Sequence, residues 1–306
     1  MSVAQENTRK ILITGALDSL SRGDLALLFD RSTSSDEQVR EATASIIRRV
    51  RATGDAALVE MAREFDRVDL PTVEVPRSAW RDAANQLDPR LRSAIDRAIR
   101  NVEKVSRAFL PVSSETEPEP GIVVGRRPDP LDRVGVYAPG GRAAYPSSVL
   151  MGVVPAKVAG VREVILCSPP GPDGLPSPVV LAAAELTGVD RVFAIGGAGA
   201  VAAMAYGTAS VPRVDRIVGP GNAYVAEAKL QVSGAVAIDS PAGPSELLVV
   251  ADASVDPATI ASEVMAQAEH DPRAAVVVVA IGESVGRRLL AAIGDAIESE
   301  PRRDII

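Results

Sequence analysis

The chain has a single histidine, His270, and it stands in the run Gln267-Ala268-Glu269-His270-Asp271. Gln267 and His270 are three residues apart, so on a helix their side chains are neighbours on one turn. Asp256-Pro257 supplies an N-cap and an N1 proline upstream, and Ile260 and Val264 mark an apolar line on which Gln267 also falls. An imidazole nitrogen and a carboxamide oxygen, with carboxylates beside them, make a donor set suited to a divalent metal ion. The same residues also describe an imidazolium closing a helix C-terminus.

Four further segments could carry chemistry, each at the end of an apolar run. Ala138-Pro139-Gly140-Gly141 leads into Tyr145-Pro146-Ser147-Ser148, a glycine turn followed by a helix start. Such a turn allows close backbone approach to an anionic group, and it also serves as a plain strand-to-helix connection. Gly197 to Ala202 reads as G-x-G-x-x-A, a loose dinucleotide fingerprint, with Asp215 as its downstream acid. In Gly219-Pro220-Gly221-Asn222, Asn222 either caps a helix or reaches a ligand. Asp239-Ser240-Pro241-Ala242-Gly243-Pro244-Ser245-Glu246 is a stiff, proline-rich link that presents Ser245 and Glu246.

The elements that must position these segments follow from periodicity. Residues up to about 110 read as helices. One opens at Ser35-Asp36-Glu37 and is stopped by Gly54, one follows from Asp55, and one runs from Asp88-Pro89 to Phe109. Residues 111–130 read as a connector. From 133 onward, short aliphatic runs alternate with alanine-rich stretches, at Val134–Ala138, Val164–Ser168, Arg191–Ile195, Arg216–Val218, Val236–Ile238, Leu247–Ala251 and Ala275–Ala280. That alternation predicts parallel βαβ units in an α/β fold. An amphipathic helix over Gly286 to Glu298 is expected to lead into a further strand.

Composition narrows the class of partner. Hydrophobic residues are 46% and aromatic residues 3%, so the core must be packed with Ala, Val, Ile and Leu. The net charge of −7 argues against a nucleic-acid partner. Cys167 is the sole cysteine and lies in an apolar run, which predicts a buried thiol and fits a reducing cytoplasm. No apolar stretch is long enough to cross a bilayer and no leader pattern opens the chain, so a cytoplasmic protein without a membrane partner is expected.

Taken together, several runs resemble the histidinol dehydrogenase family. They are Arg133-Val134-Gly135-Val136-Tyr137-Ala138-Pro139-Gly140-Gly141, Ala144-Tyr145-Pro146-Ser147-Ser148-Val149-Leu150-Met151, Pro155-Ala156-Lys157-Val158-Ala159-Gly160-Val161, Ala205-Tyr206-Gly207-Thr208, Gly219-Pro220-Gly221-Asn222, Ile238-Asp239, Ala242-Gly243-Pro244-Ser245-Glu246 and Gln267-Ala268-Glu269-His270-Asp271-Pro272. The resemblance extends over about 35–290. It implies oxidation of L-histidinol to L-histidine in two NAD-dependent steps through an aldehyde, with bound zinc (Zn2+), in a homodimer. It further implies zinc ligation by Gln267 and His270, substrate contact by Ser245, Gln267 and His270, and NAD contact by Tyr137, Gly199 and Asn222. The fold implied is two incomplete Rossmann-like domains with mostly parallel sheets and a helical N-terminal segment. By that likeness, residues 1–34 are an extension, 35–130 with 244–306 form the first domain, and 131–243 form an inserted second.

Two departures accompany the likeness. The family carries Gln where this chain has Gly199. Its Glu-His acid/base pair, its remaining zinc-binding Asp and His, and its small C-terminal domain are expected beyond residue 306, so no catalytic acid or base is assigned here. The 306 residues are accordingly expected to bind zinc weakly and not to turn over histidinol. A related zinc- and NAD-dependent dehydrogenase of another small polyol, or a non-catalytic subunit, are the alternatives.

Overall fold

The computed structural model describes residues 11–29, 37–140, 144–240, 246–269, 274–301 and 303. The chain divides into two compact units, Asp36–Pro241 and the pair Met1–Ser35 with Ala242–Ile306. After helix α1 (Arg22–Phe29), the larger unit opens with α2 (Glu37–Thr53), α3 (Asp55–Met61), α4 (Arg77–Asn85) and α5 (Pro89–Ala108). Asp88 caps α5 by accepting from the backbone N–H groups of Arg90 and Leu91 at 2.9 and 3.1 Å, as its place before Pro89 predicts. Residues 111–130, expected as a connector, instead contain an antiparallel hairpin of β1 (Ser114–Glu119) and β2 (Ile122–Arg126). Pro118 and alternating glutamates mask β1, whereas Ile122-Val123-Val124 carries the β-branched signal. Every residue of both strands is exposed.

The rest of the larger unit is doubly wound. The elements are β3 (Arg133–Tyr137), α6 (Pro146–Val158), β4 (Glu163–Ser168), α7 (Pro178–Thr187), β5 (Arg191–Ala194), α8 (Gly197–Tyr206), β6 (Arg216–Val218), α9 (Ala223–Val232) and β7 (Ala237–Ile238). The five strands are all parallel in the order β5-β4-β3-β6-β7. Alternate side chains feed two cores. Val164 and Leu166 join one with Trp80, Ile95, Val149 and Val180, from α4 to α7. Ile165 and Cys167 join the other with Val50, Met61, Val201 and Val225, from α2, α3, α8 and α9. Burial on both faces is why these strands read as unbroken aliphatic runs. The β5 edge is covered by residues 73–75. Val75 N–H donates to Val192 O, and Ala194 N–H donates to Val73 O, both at 2.8 Å.

The smaller unit holds one parallel βαβ step, β8 (Glu246–Ala251), α10 (Pro257–Ala268) and β9 (Ala275–Ala280), followed by α11 (Glu283–Ser299). The helices bury Ala251, Ile260, Val264, Met265 and Leu289 against one face of the pair. On the other face Leu248 and Val250 are 64% and 62% exposed.

Candidate functional site

The two edges of the five-stranded sheet differ in chemistry. The amino ends of the strands are tied by ion pairs, Arg133 to Glu163 at 2.6 Å and Lys157 to Asp190 at 2.7 Å. Asp215 also lies at this edge, its carboxylate accepting from the Arg133 N–H at 2.8 Å. This corrects its reading as the acid of a dinucleotide fingerprint. Spacing along the chain carried Asp215 to the start of β6, whereas such an acid must stand at a strand's carboxyl end.

The carboxyl edge carries the glycine- and proline-rich turns. The strand order reverses between β3 and β6, and open α/β sheets receive ligands in the crevice outside the carboxyl ends at such a point. Tyr137 closes β3 at this place. It is 4% exposed, and its hydroxyl oxygen accepts from the Gly197 N–H at 3.1 Å, at the start of α8. Burial pushes its pKa up to about 12, which keeps the phenol protonated and able to donate. Pro169, just after β4, packs so closely between the flanking turns that a Cβ on Gly140 or Gly196 would come within 2.8 or 2.7 Å of it. Gly199 is buried in the first turn of α8, where a Cβ would meet Met61 Sδ at 3.1 Å, so α3 occupies the space a longer residue would need.

On the β6 side stands the Gly219-Pro220-Gly221-Asn222 turn. Asn222 Oδ1 accepts from the Val225 N–H at 3.1 Å and so caps α9. Gly219 has φ 121°, and a Cβ there would lie 2.1 Å from the Tyr137 carbonyl oxygen. Its N–H donates to Asp239 Oδ2 at 2.8 Å. Lys229, 3% exposed on α9, donates to the Gly219 carbonyl and, at 2.5 Å, to Asp239 Oδ1. An open groove of about 800 Å3 beside α6 is lined by Val134, Met151 and Ala156 and also by Gly219, Pro220 and Asp239.

Sequence reasoning gave no role to Lys229, Asp239 or Asp66. Lys229 was detectable as a lysine in the Val225-Lys229-Val232 line, an apolar stripe at helical spacing. Asp66 ends a π-helical turn, Ala62–Asp66, and its charge is felt by the Tyr137 phenol. Half-burial pushes its pKa up to about 6. Cys167 is fully buried, as expected, and burial pushes its thiol well above the ordinary range.

The metal-ligand candidates lie in the smaller unit. Gln267 is in the last turn of α10, whose Asp256 cap accepts from the Ala258 N–H at 3.0 Å. The Gln267 side-chain nitrogen is buried and has no hydrogen-bond partner among the described residues. His270 and Ser245 lie outside the described residues, as does the Gly141–Ala143 part of the first turn. Among the described residues no three His, Cys, Asp or Glu side chains form a metal-holding group, and no helix is long and apolar enough to cross a membrane.

Comparison with known proteins adds a consistent set of likenesses. The family model for histidinol dehydrogenase matches residues 29–306. A histidinol dehydrogenase of Methanosarcina mazei is 43% identical over 297 residues, covering 97% of this chain and 68% of that protein. One of Burkholderia pseudomallei is 46% identical over 300 residues, covering 95% and 67%. The crystal structure of histidinol dehydrogenase from Elizabethkingia anophelis superposes with a TM-score of 0.84 at 31% identity, covering 94% of this chain and 66% of that one. The chain thus spans about two thirds of the length of the relatives it matches.

Proposed function

Because the chain belongs to the histidinol dehydrogenase family, we propose that it takes part in the zinc-dependent, NAD-linked oxidation of L-histidinol to L-histidine. The observation that carries the reading is the placement of Tyr137 and Asn222 on β3 and just after β6, the two strands between which the order reverses. When bound there, NAD+ supplies the hydride acceptor for an alcohol and then for the hydrated aldehyde. Tyr137 keeps its proton at neutral pH and offers it as a hydrogen bond. Asn222 spends its oxygen on the α9 cap, which leaves its amide N–H groups to orient a ligand at the turn. Gly199, having no side chain, can offer only its backbone, and a side chain there would meet Met61.

The metal and the amino alcohol are assigned to Gln267 and His270, with Ser245 against the substrate. Gln267 would ligate through its side-chain oxygen from the last turn of α10. Zinc, when bound, supplies a Lewis acid that stabilises charge on the reacting oxygen and a template for the amino alcohol. Two protein donors are fewer than the three or four that zinc ordinarily takes, and the only histidine is already assigned to the metal. We therefore assign the other ligands and the acid/base pair to groups outside these 306 residues. Relatives at 43% and 46% identity favour histidinol over another polyol. A homodimer in the cytoplasm completes the proposal.

Two assays test it. A protein that includes the additional third of the relatives' length is expected to form NADH with histidinol, to lose this activity to a chelator and to regain it with zinc. The 306 residues alone are expected to bind NAD+, to hold zinc weakly and to form no NADH. Inert histidinol in the first assay, with another alcohol oxidised in its place, would overturn the substrate assignment.

A further inference from the structure

We propose that Lys229 and Asp239 are a positioning pair that fixes the Gly219 backbone, so that the Gly219–Asn222 turn is already shaped for a dinucleotide before one arrives. The inference rests on the NAD reading of the β3–β6 crevice and assigns to that site two residues that the reading leaves without a role.

The geometry is over-determined at one residue. The N–H of Gly219 belongs to the peptide linking it to Val218, and Asp239 Oδ2 holds that N–H at 2.8 Å. The C=O of Gly219 belongs to the next peptide, and Lys229 Nζ holds that oxygen. Both peptide planes flanking Gly219 are thereby anchored, which fixes its φ and ψ together. Between the anchors, the α-carbon faces the Tyr137 carbonyl so closely that only glycine fits. The two anchoring side chains are joined at 2.5 Å; Lys229 comes from α9, which the turn leads into, and Asp239 from just after β7, the strand paired with β6.

Stability is a weak explanation for such a pair. A buried ammonium–carboxylate pair loses hydration that its mutual attraction only about balances, and apolar residues of similar volume commonly serve as well. What an apolar pair cannot do is hold a peptide N–H and a peptide C=O in fixed directions. The pair's position matches that role. Gly219 and Asp239 both line the groove beside α6, and Asn222 caps α9 two turns before Lys229. A turn held in shape in advance binds its ligand without losing conformational entropy on binding.

Lys229→Met and Asp239→Asn test this by isothermal titration with NAD+, alongside thermal melting of each variant. The expected result is a dissociation constant for NAD+ raised about tenfold or more at a temperature where the variants remain folded. Folded variants with lowered melting temperatures and unchanged NAD+ affinity would show a merely structural pair and overturn the inference. Should the variants fail to fold, amide hydrogen exchange across residues 216–226 of the unsubstituted protein decides. Protection of Gly219 without NAD+ supports a pre-formed turn, and protection gained only on adding NAD+ overturns it. If the unsubstituted protein binds no NAD+, the dinucleotide reading fails and this inference fails with it. Undiminished binding by folded variants removes this inference alone.

Discussion

The two parallel sheets of this protein are built from the same βαβ step but are covered to different extents. In the five-stranded sheet, β4 is buried from Val164 to Ser168, because helices pack on both faces. In β8 the burial alternates, and Leu248 and Val250 face away from α10 and α11 and are exposed. β8 is the more aliphatic of the two in sequence. Hydrophobicity alone therefore does not report how many faces of a strand are covered; the number of helical layers does. The candidate dinucleotide turns stand on the covered sheet, where a rigid scaffold fixes them. Gln267, on α10, stands beside the half-covered one.

The contrast can be sharpened or broken by substitution. The largest effect is expected for Gly219→Ala, where a new Cβ would meet the Tyr137 carbonyl in a backbone region that L-residues avoid. A loss of about 4 kcal/mol or more in urea denaturation is expected, with loss of NAD+ binding. Next, Leu166→Ala should cost about 3 kcal/mol, whereas Leu248→Ala should cost under about 0.5 kcal/mol. Equal losses would show that both sheets are covered alike in solution. Gln267→Met should raise the stability of the metal-free protein by about 1 kcal/mol, by removing a buried unpaired amide, while weakening zinc binding. A destabilised metal-free variant would mean that the amide has a protein partner.

The smallest effect is expected from Asp66→Asn, read as melting temperature against pH. Burial raises the Asp66 pKa from its ordinary 3.8 to about 6. The folded state therefore holds the proton more tightly than the unfolded chain, and stability falls as pH rises through that window. The asparagine variant should be the more stable near about pH 7.5, and the difference should vanish below about pH 3.8, where both states are protonated. A difference that persists in acid would assign the effect to packing.

Much of this arrangement is legible in the residues themselves. The aliphatic runs from 134 to 280 fall on β3 to β9 within a residue or so, because parallel strands covered by helices carry their own pattern. The Asp88 and Asp256 caps and the Asn222 cap follow from local chemistry at helix starts. The hairpin at 114–126 escaped because Pro118 and the glutamates outweigh a short β-branched run. The candidate site was legible as segments and not as an arrangement. Tyr137 and Asn222 were separate motifs 85 positions apart in the chain until β3 and β6 paired.

By itself the sequence determined most of the element types outside the 114–126 hairpin, the family, and which residues have the chemistry to hold a metal or a dinucleotide. These depend on composition, spacing and neighbours a few residues away. Only the tertiary structure decided that Asp215 belongs to the amino edge, that Met61 occupies the space beside Gly199, and that Lys229 and Asp239 meet at Gly219. The physical reason is that strand order and helix layering are set by packing between distant segments, so proximity and burial at this site belong to the assembled sheet.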